Sequence, residues 1–211
     1  MYVRQLELGP MANFVYLIGD PETKECAVVD PAWNVPALLE AARADGYRIT
    51  KVLLTHGHSD HINGVEAVLR EHAVPVHVHE ADAFALRHVG EGLRKSADGE
   101  KVRLGEMEIA CIHTPGHTEG SQCLLVRGHL LTGDTLFIGG CGRVDLAGSD
   151  PEKMYHSLRR LAALEDAVRV LPGHDYSAEK SALLGAERER NPYIRASLRA
   201  SADEFRRLVG P

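Results

Sequence analysis

The feature that most constrains this chain is a histidine-rich run, THGHSDH, which follows directly on the strand-like segment TKVLLT. His56 and His58 stand two residues apart, and in extended backbone alternate side chains project to the same side, so both imidazoles can share one metal. Asp60 and His61 follow where Ser59 or Asp60 would cap the next helix, and the tightening chain swings this second pair to a neighbouring position. Three further candidates each lie at a strand end beside glycine: His117 in TPGHTEGS, Asp134 in LLTGDTLF and His174 in VLPGHDY. Glycine there allows close backbone approach and unusual dihedrals. The blander reading makes these residues solvated loop histidines; the dense cluster and the glycine-flanked loop donors agree against it. The remaining histidines read differently. His77 and His79 alternate with Val76 and Val78 as the polar face of a half-buried strand, and His72, His88, His113, His129 and His156 have no ligand-like spacing.

The rest of the chain reads as strands with helices interspersed. VRQLEL, NFVYLI and CAVVDP, separated by Gly-Pro and Gly-Asp-Pro turn signals, predict a β-meander. Val35 to Arg43 is helical in spacing, with Pro36 in the first turn and Gly46 closing the segment. Ile62 to Glu71 is again helical, as is a short stretch over ADAFALRHV, and strands are expected at VPVHV, EKVRL, MEIACIHT, QCLLVR and HLLTGD. Val89 to Glu100 is polar and glycine-rich and reads as an exposed loop. Pro151 to Leu164, Ala178 to Glu189 and about Ile194 to Leu208 are expected helices, with a strand at VRVLPGHD. Neither a repeat nor a linker interrupts the pattern, so residues 1–211 are expected to form one domain with helices packed outside sheets.

Composition excludes several classes. The net charge of −6 is no match for nucleic acid or an anionic membrane as partner. No apolar run reaches the ~18 residues of a membrane span, and the N-terminus lacks a signal-peptide pattern. The four cysteines, Cys26, Cys111, Cys123 and Cys141, show neither C-x-x-C spacing nor disulfide-scaffold density, which predicts reduced thiols and a cytoplasmic protein.

With these residues in place, the chain resembles the metallo-β-lactamase superfamily. The family's HxHxDH signature is THGHSDH here, and its later His, Asp and His match His117, Asp134 and His174. The likeness runs from the early strands and VVDP to GHDY, and it implies an α+β fold: an αββα sandwich of two mixed sheets packed face to face with helices outside, and metals at one edge. It further implies that His56, His58 and His117 hold a first metal, that Asp60, His61 and His174 hold a second, and that Asp134 bridges them. Imidazole and carboxylate suit zinc, iron or manganese. Two cations about 3.5–4 Å apart would acidify a bridging water and polarise a scissile carbonyl, which makes hydrolysis the natural chemistry. Asp60 would also orient the resulting hydroxide. Asp30 in VVDP is expected to support a ligand histidine by a hydrogen bond; a simple Asp-Pro turn is the alternative.

The stretch GDTLFIGGCGRVDL followed by SDPEKMYHSL resembles glyoxalase II (hydroxyacylglutathione hydrolase) and the related persulfide dioxygenase. That resemblance implies a small-molecule partner of the glutathione-thiol type, with Arg143 offering its guanidinium to a substrate carboxylate and Tyr176 reaching the substrate. A structural ion pair for Arg143 and simple packing for Tyr176 are the competing readings, and Cys141 reads as a small turn residue rather than a nucleophile. Glyoxalase II carries an extra helical domain after its last metal histidine, whereas the sequence here ends soon after His174, as in persulfide dioxygenases. In that branch a single Fe(II) held by residues matching His56, His117 and Asp134 oxidises glutathione persulfide with O₂. The expected activity is therefore hydrolysis of a hydroxyacylglutathione-type thioester, with the iron dioxygenase as alternative and a lactonase or other ester hydrolase behind it. A nuclease of the superfamily or a partner-binding protein with a dead metal site fits less well, and a homodimer is left open. Arg195, Arg199 and Arg206 in the tail read as a solvated helix face.

Overall fold

The computed structural model describes residues 1–210. After β1 (Tyr2–Leu8), the strand β2 (Asn13–Gly19) is buried along its whole length, which requires cover on both faces of its sheet. Phe14, Tyr16 and Ile18 point into a cluster shared with a second sheet, and Val15 and Leu17 point into a cluster shared with helices. The first sheet continues through β3 (Glu25–Val29), β4 (Arg48–Leu53), β5 (Val76–His79) and β6 (Leu93–Ser96) in chain order. Its first three strands form the expected antiparallel meander, and β3 to β6 are parallel. The second sheet has the order β14 (Ala182–Leu183), β13 (Arg169–Pro172), β10 (His129–Gly133), β9 (Gln122–Val126), β8 (Met107–His113), β7 (Lys101–Leu104), with only β10 and β13 parallel. A small hairpin, β11 (Leu136–Phe137) and β12 (Gly140–Cys141), leaves the end of β10.

Helices α1 (Val35–Ala44) and α3 (Val65–Glu71) cover the outer face of the first sheet through Val35, Leu38, Val65 and Val68. Over the second sheet lie α4 (Pro151–Ala162), α5 (Leu184–Arg190), α6 (Pro192–Arg199) and α7 (Ala202–Val209), anchored by Met154, Leu158, Leu161, Ile194 and Phe205. The result is the α+β sandwich of two mixed sheets with helices outside that the sequence led us to expect. Among the described residues, no helix is long and apolar enough to cross a membrane.

Six local expectations fail. Val89–Glu100 is not all loop: Leu93 packs on the core and β6 pairs in parallel with β5, while Arg94 and Lys95 stay exposed, the usual dress of an edge strand. The helix expected from Ile62 is two helices, α2 (Ser59–Ile62) and α3, separated where Gly64 donates to the Pro31 carbonyl at 3.0 Å. A Cβ at Gly64 would sit 2.7 Å from that oxygen. Neither Ser59 nor Asp60 caps α2, because the cap position falls on His58. Ala178–Glu189 is helical only from Leu184, β14 taking the residues before, and the tail helix breaks at Ala200. There Ser201 and Glu204 form a reciprocal capping box that starts α7 afresh. The stretch over ADAFALRHV is a kinked 3₁₀ segment, Glu80–Gly92.

Candidate metal centre

The strands β3, β4, β8, β10 and β13 run the same way, so the loops leaving their C-terminal ends meet at one edge of the sandwich. They carry Asp30, the HxHxDH run, His117, Asp134 and His174 respectively. Two clusters of donor atoms form there, His56 with His58 and His117, and Asp60 with His61 and His174, and a third grouping, Asp30 with His56 and His61, spans the two; within each, the donor atoms lie within 4.8 Å of one another. Asp134 stands between them. Its Oδ2 is 3.5 Å from His117 Nε2 and 3.3 Å from His174 Nε2, and its Oδ1 is 3.4 Å from His61 Nε2. Gly173 makes this possible, since a Cβ there would lie 2.4 Å from Asp134 Oδ1.

Four imidazoles are oriented by the same device. His56 Nδ1 lies 3.1 Å from Thr55 Oγ1, His61 Nδ1 3.1 Å from Asp30 Oδ2, His117 Nδ1 2.9 Å from the Arg143 carbonyl and His174 Nδ1 2.9 Å from the Met11 carbonyl. With Nδ1–H donating outward, each Nε2 lone pair faces the centre. Asp30 is thus more than a turn residue, because its carboxylate also accepts the Thr55 N–H at 2.7 Å and the Thr55 hydroxyl at 2.6 Å. Asn13 holds Asp60 in place by donating to its Oδ2 at 3.0 Å, while accepting from Trp33 Nε1 at 2.7 Å.

Whether a cation belongs here can be judged from the donors themselves. His56 Nε2, His117 Nε2 and Asp134 Oδ1 are buried and have no hydrogen-bond partner. Such orphaned groups cost about 1–3 kcal/mol each unless something satisfies them. Nitrogen and carboxylate donors in two adjoining groups fit divalent zinc or iron. The electrostatics agree. Burial pushes His56 and His58 below the ordinary imidazole value, with neighbouring imidazoles adding to it. Burial would also raise the Asp134 carboxyl, but His61, His174 and His56 hold it far below the usual range.

The family model of the metallo-beta-lactamase superfamily matches residues 8–174. The chain belongs to this superfamily. Two relatives illustrate its range: a hydroxyacylglutathione hydrolase of Alkalilimnicola ehrlichii, 40% identical over 89% of this chain and 71% of its own, and a probable polyketide biosynthesis zinc-dependent hydrolase, BaeB, of Bacillus velezensis, 31% identical over 92% and 87%. Among solved structures, ETHE1 from Myxococcus xanthus superposes with a TM-score of 0.90 at 30% identity, covering 99% of this chain and 90% of that one.

Within this metallo-β-lactamase fold, the residues read as substrate-facing fare unequally. Tyr176 is exposed and stacks on the His174 ring at 4.7 Å, with Phe137 edge-on to both. The Arg143 guanidinium instead donates to the Asp145 carboxylate at 2.9 and 2.8 Å, and only its backbone reaches the site. Burial raises the Cys141 thiol to about 12, which suits packing and not nucleophilic attack. Of the histidines set aside, His79 is more buried than expected and stacks on His113 at 3.8 Å, and the tail arginines are exposed as read. Sequence reasoning missed Asn13, Thr55 and Asp82. A polar residue heading the apolar run NFVYLI, and a threonine abutting the first ligand-like histidine, were the available signals for the first two.

Proposed function

We propose that this protein is a hydrolase of thioesters of the hydroxyacylglutathione type that works with two divalent cations, zinc by preference and iron or manganese otherwise. His56, His58 and His117 would hold one, Asp60, His61 and His174 the other, and Asp134 both. The observation that carries the reading is the position of the Asp134 carboxylate, 3.3–3.5 Å from imidazole nitrogens of both clusters. Bound metal would supply Lewis acidity toward the carbonyl and make water acidic near neutral pH. The chain's own residues do the rest. Asp60, steadied by Asn13 at 3.0 Å, accepts the proton of the attacking water and fixes its direction. Tyr176 offers an exposed aromatic face beside His174 against which the substrate packs. Arg143 would receive a substrate carboxylate by exchanging it for Asp145, and exposed pairs of that kind are weak enough to exchange. A small thiol-derived substrate and a cytoplasmic setting complete the reading, the latter supported by four free cysteines.

A second reading, oxidation of glutathione persulfide at one iron, is favoured by the sequence resemblance to persulfide dioxygenases, and the likeness to ETHE1 covers 99% of this chain. Metal content per chain, with thioesterase and O₂-uptake assays on the same sample, separates the two. Two equivalents with thioester cleavage support the hydrolase; one equivalent of iron with persulfide-dependent O₂ uptake supports the dioxygenase. The variant His174→Ala sharpens the test. Loss of a partner behind a metal ligand already costs about 10–100-fold, so loss of the ligand should cost the hydrolase more, whereas a one-iron dioxygenase should keep much of its rate.

A further inference from the structure

Asp82 lies on the 3₁₀ segment Glu80–Gly92, outside both donor clusters, and its side chain is buried. Its carboxylate accepts three hydrogen bonds, all from the two loops that carry the three-histidine cluster. Oδ2 takes the Gly57 N–H at 2.8 Å and the Thr118 hydroxyl at 2.7 Å, and Oδ1 takes the Gly120 N–H at 2.8 Å. Gly57 separates His56 from His58, and Thr118 follows His117. The packing leaves no slack, since a Cβ on Gly120 would lie 2.5 Å from the Asp82 carboxyl. One buried carboxylate thus ties the backbone between two of the imidazoles to the loop of the third.

We propose that Asp82 is a positioning residue that sets the spacing of His56, His58 and His117, and that it controls cation affinity at this cluster alone. The proposal rests on the reading that these three histidines hold a cation, but not on which reaction follows. The Gly57 and Gly120 N–H groups face different oxygens of Asp82 and can only donate, so the geometry requires a carboxylate and not merely a polar residue. In Asp82→Asn the amide NH₂ must oppose either Gly120 N–H or the Gly57 and Thr118 pair, and one link between the loops opens. Asp60, His61 and His174 hang on Asn13, Asp30 and Met11, none of which Asp82 touches.

The test is chelator challenge of the zinc-loaded, full-length protein, reading zinc retained per chain and, after cobalt exchange, the visible absorption of the bound ion. In Asp82→Asn we expect one equivalent to leave at a chelator concentration about tenfold or more below wild type while the other is unchanged. His58→Ala should lose that same equivalent, which assigns it. If Asp82→Asn folds poorly, Thr118→Val removes one of the three bonds to Asp82, together with the contact between the Thr118 and Ser121 hydroxyls, and should give a smaller shift in the same equivalent. Unchanged release of both equivalents, or equal weakening of both, would overturn the role of Asp82 and leave the metal reading standing. A wild type that retains no cation through His58 would overturn both.

Discussion

Both halves of the site present imidazoles, but His56 and His58 in one are pushed the opposite way from His61 and His174 in the other. Around His56, His58 and His117, burial and mutual repulsion dominate, so His56 and His58 are pushed below ordinary imidazole basicity. Their support comes from neutral donors and acceptors, namely Thr55, the Arg143 carbonyl and the backbone that Asp82 gathers. Around His61 and His174 burial acts the same way, but carboxylates outweigh it. Asp134, Asp30 and Asp60 raise His61 to about 9, and Asp134 raises His174. Burial lowers all four of these imidazoles, and the outcome turns on whether the carboxylates around each outweigh it, as they do at His61 and His174. The three-histidine half is organised for a cation by geometry, and the acidic half by charge as well, with Asp134 the member common to both.

That shared position makes Asp134→Ala the largest expected effect. Both halves should loosen together, and kcat/KM should fall by more than about 100-fold for either chemistry. A variant that kept full activity would refute the idea that one carboxylate serves two halves. Asp30→Asn should be more selective. The amide keeps the Cβ position, and with its NH₂ at the Oδ2 position it opposes the His61 bond directly and the three-histidine half only through the Thr55 hydroxyl that orients His56, so cation affinity should drop by about 10-fold at the acidic half and by less at the other. This mirrors the outcome expected for Asp82→Asn, and chelator titration of the two variants side by side would show whether each half has its own carboxylate support. Equivalent losses in both would dissolve the distinction.

Much of this arrangement was legible in the chain because its cues are local. THGHSDH at a strand end and the glycines before His117, Asp134 and His174 mark loops that can carry donors, and the structure brings all seven of those side chains to one edge. Alternation and turn signals implied sheets with helices outside them, and the two-sheet sandwich followed from the resemblance to the superfamily. What was not legible depends on distance in the chain. Asp82 meets partners 25 to 38 residues away, and His174 leans on a carbonyl 163 residues away, relations that leave no spacing rule behind. The pairing of Arg143 was overlooked for the opposite reason, because its acceptor here, Asp145, is only two residues along. The short strands β6 and β14 were missed because pairing with a neighbour, not their own composition, makes them strands.

His77 offers the smallest and cleanest test of the rule drawn from the two halves, because it is an imidazole outside the site where burial acts without a close carboxylate. Burial, helped by Lys51, lowers it to about 4, and its Nδ1 is buried without a partner. The unfolded chain takes up a proton on this residue near pH 6.5, whereas the folded protein does so only near pH 4. Between those values the unfolded state binds more protons, so stability must fall as the pH falls from about 6.5 towards 4, and the loss is complete below the lower value. The side chain is partly open to solvent, which limits the effect to about 1 kcal/mol. In His77→Gln that contribution should vanish, and urea midpoints of the metal-free protein measured across this range should decline less steeply than in wild type. A slope identical to wild type would mean that folding leaves the proton affinity of this imidazole unchanged, and the weight given to burial in the three-histidine half would have to be reduced with it.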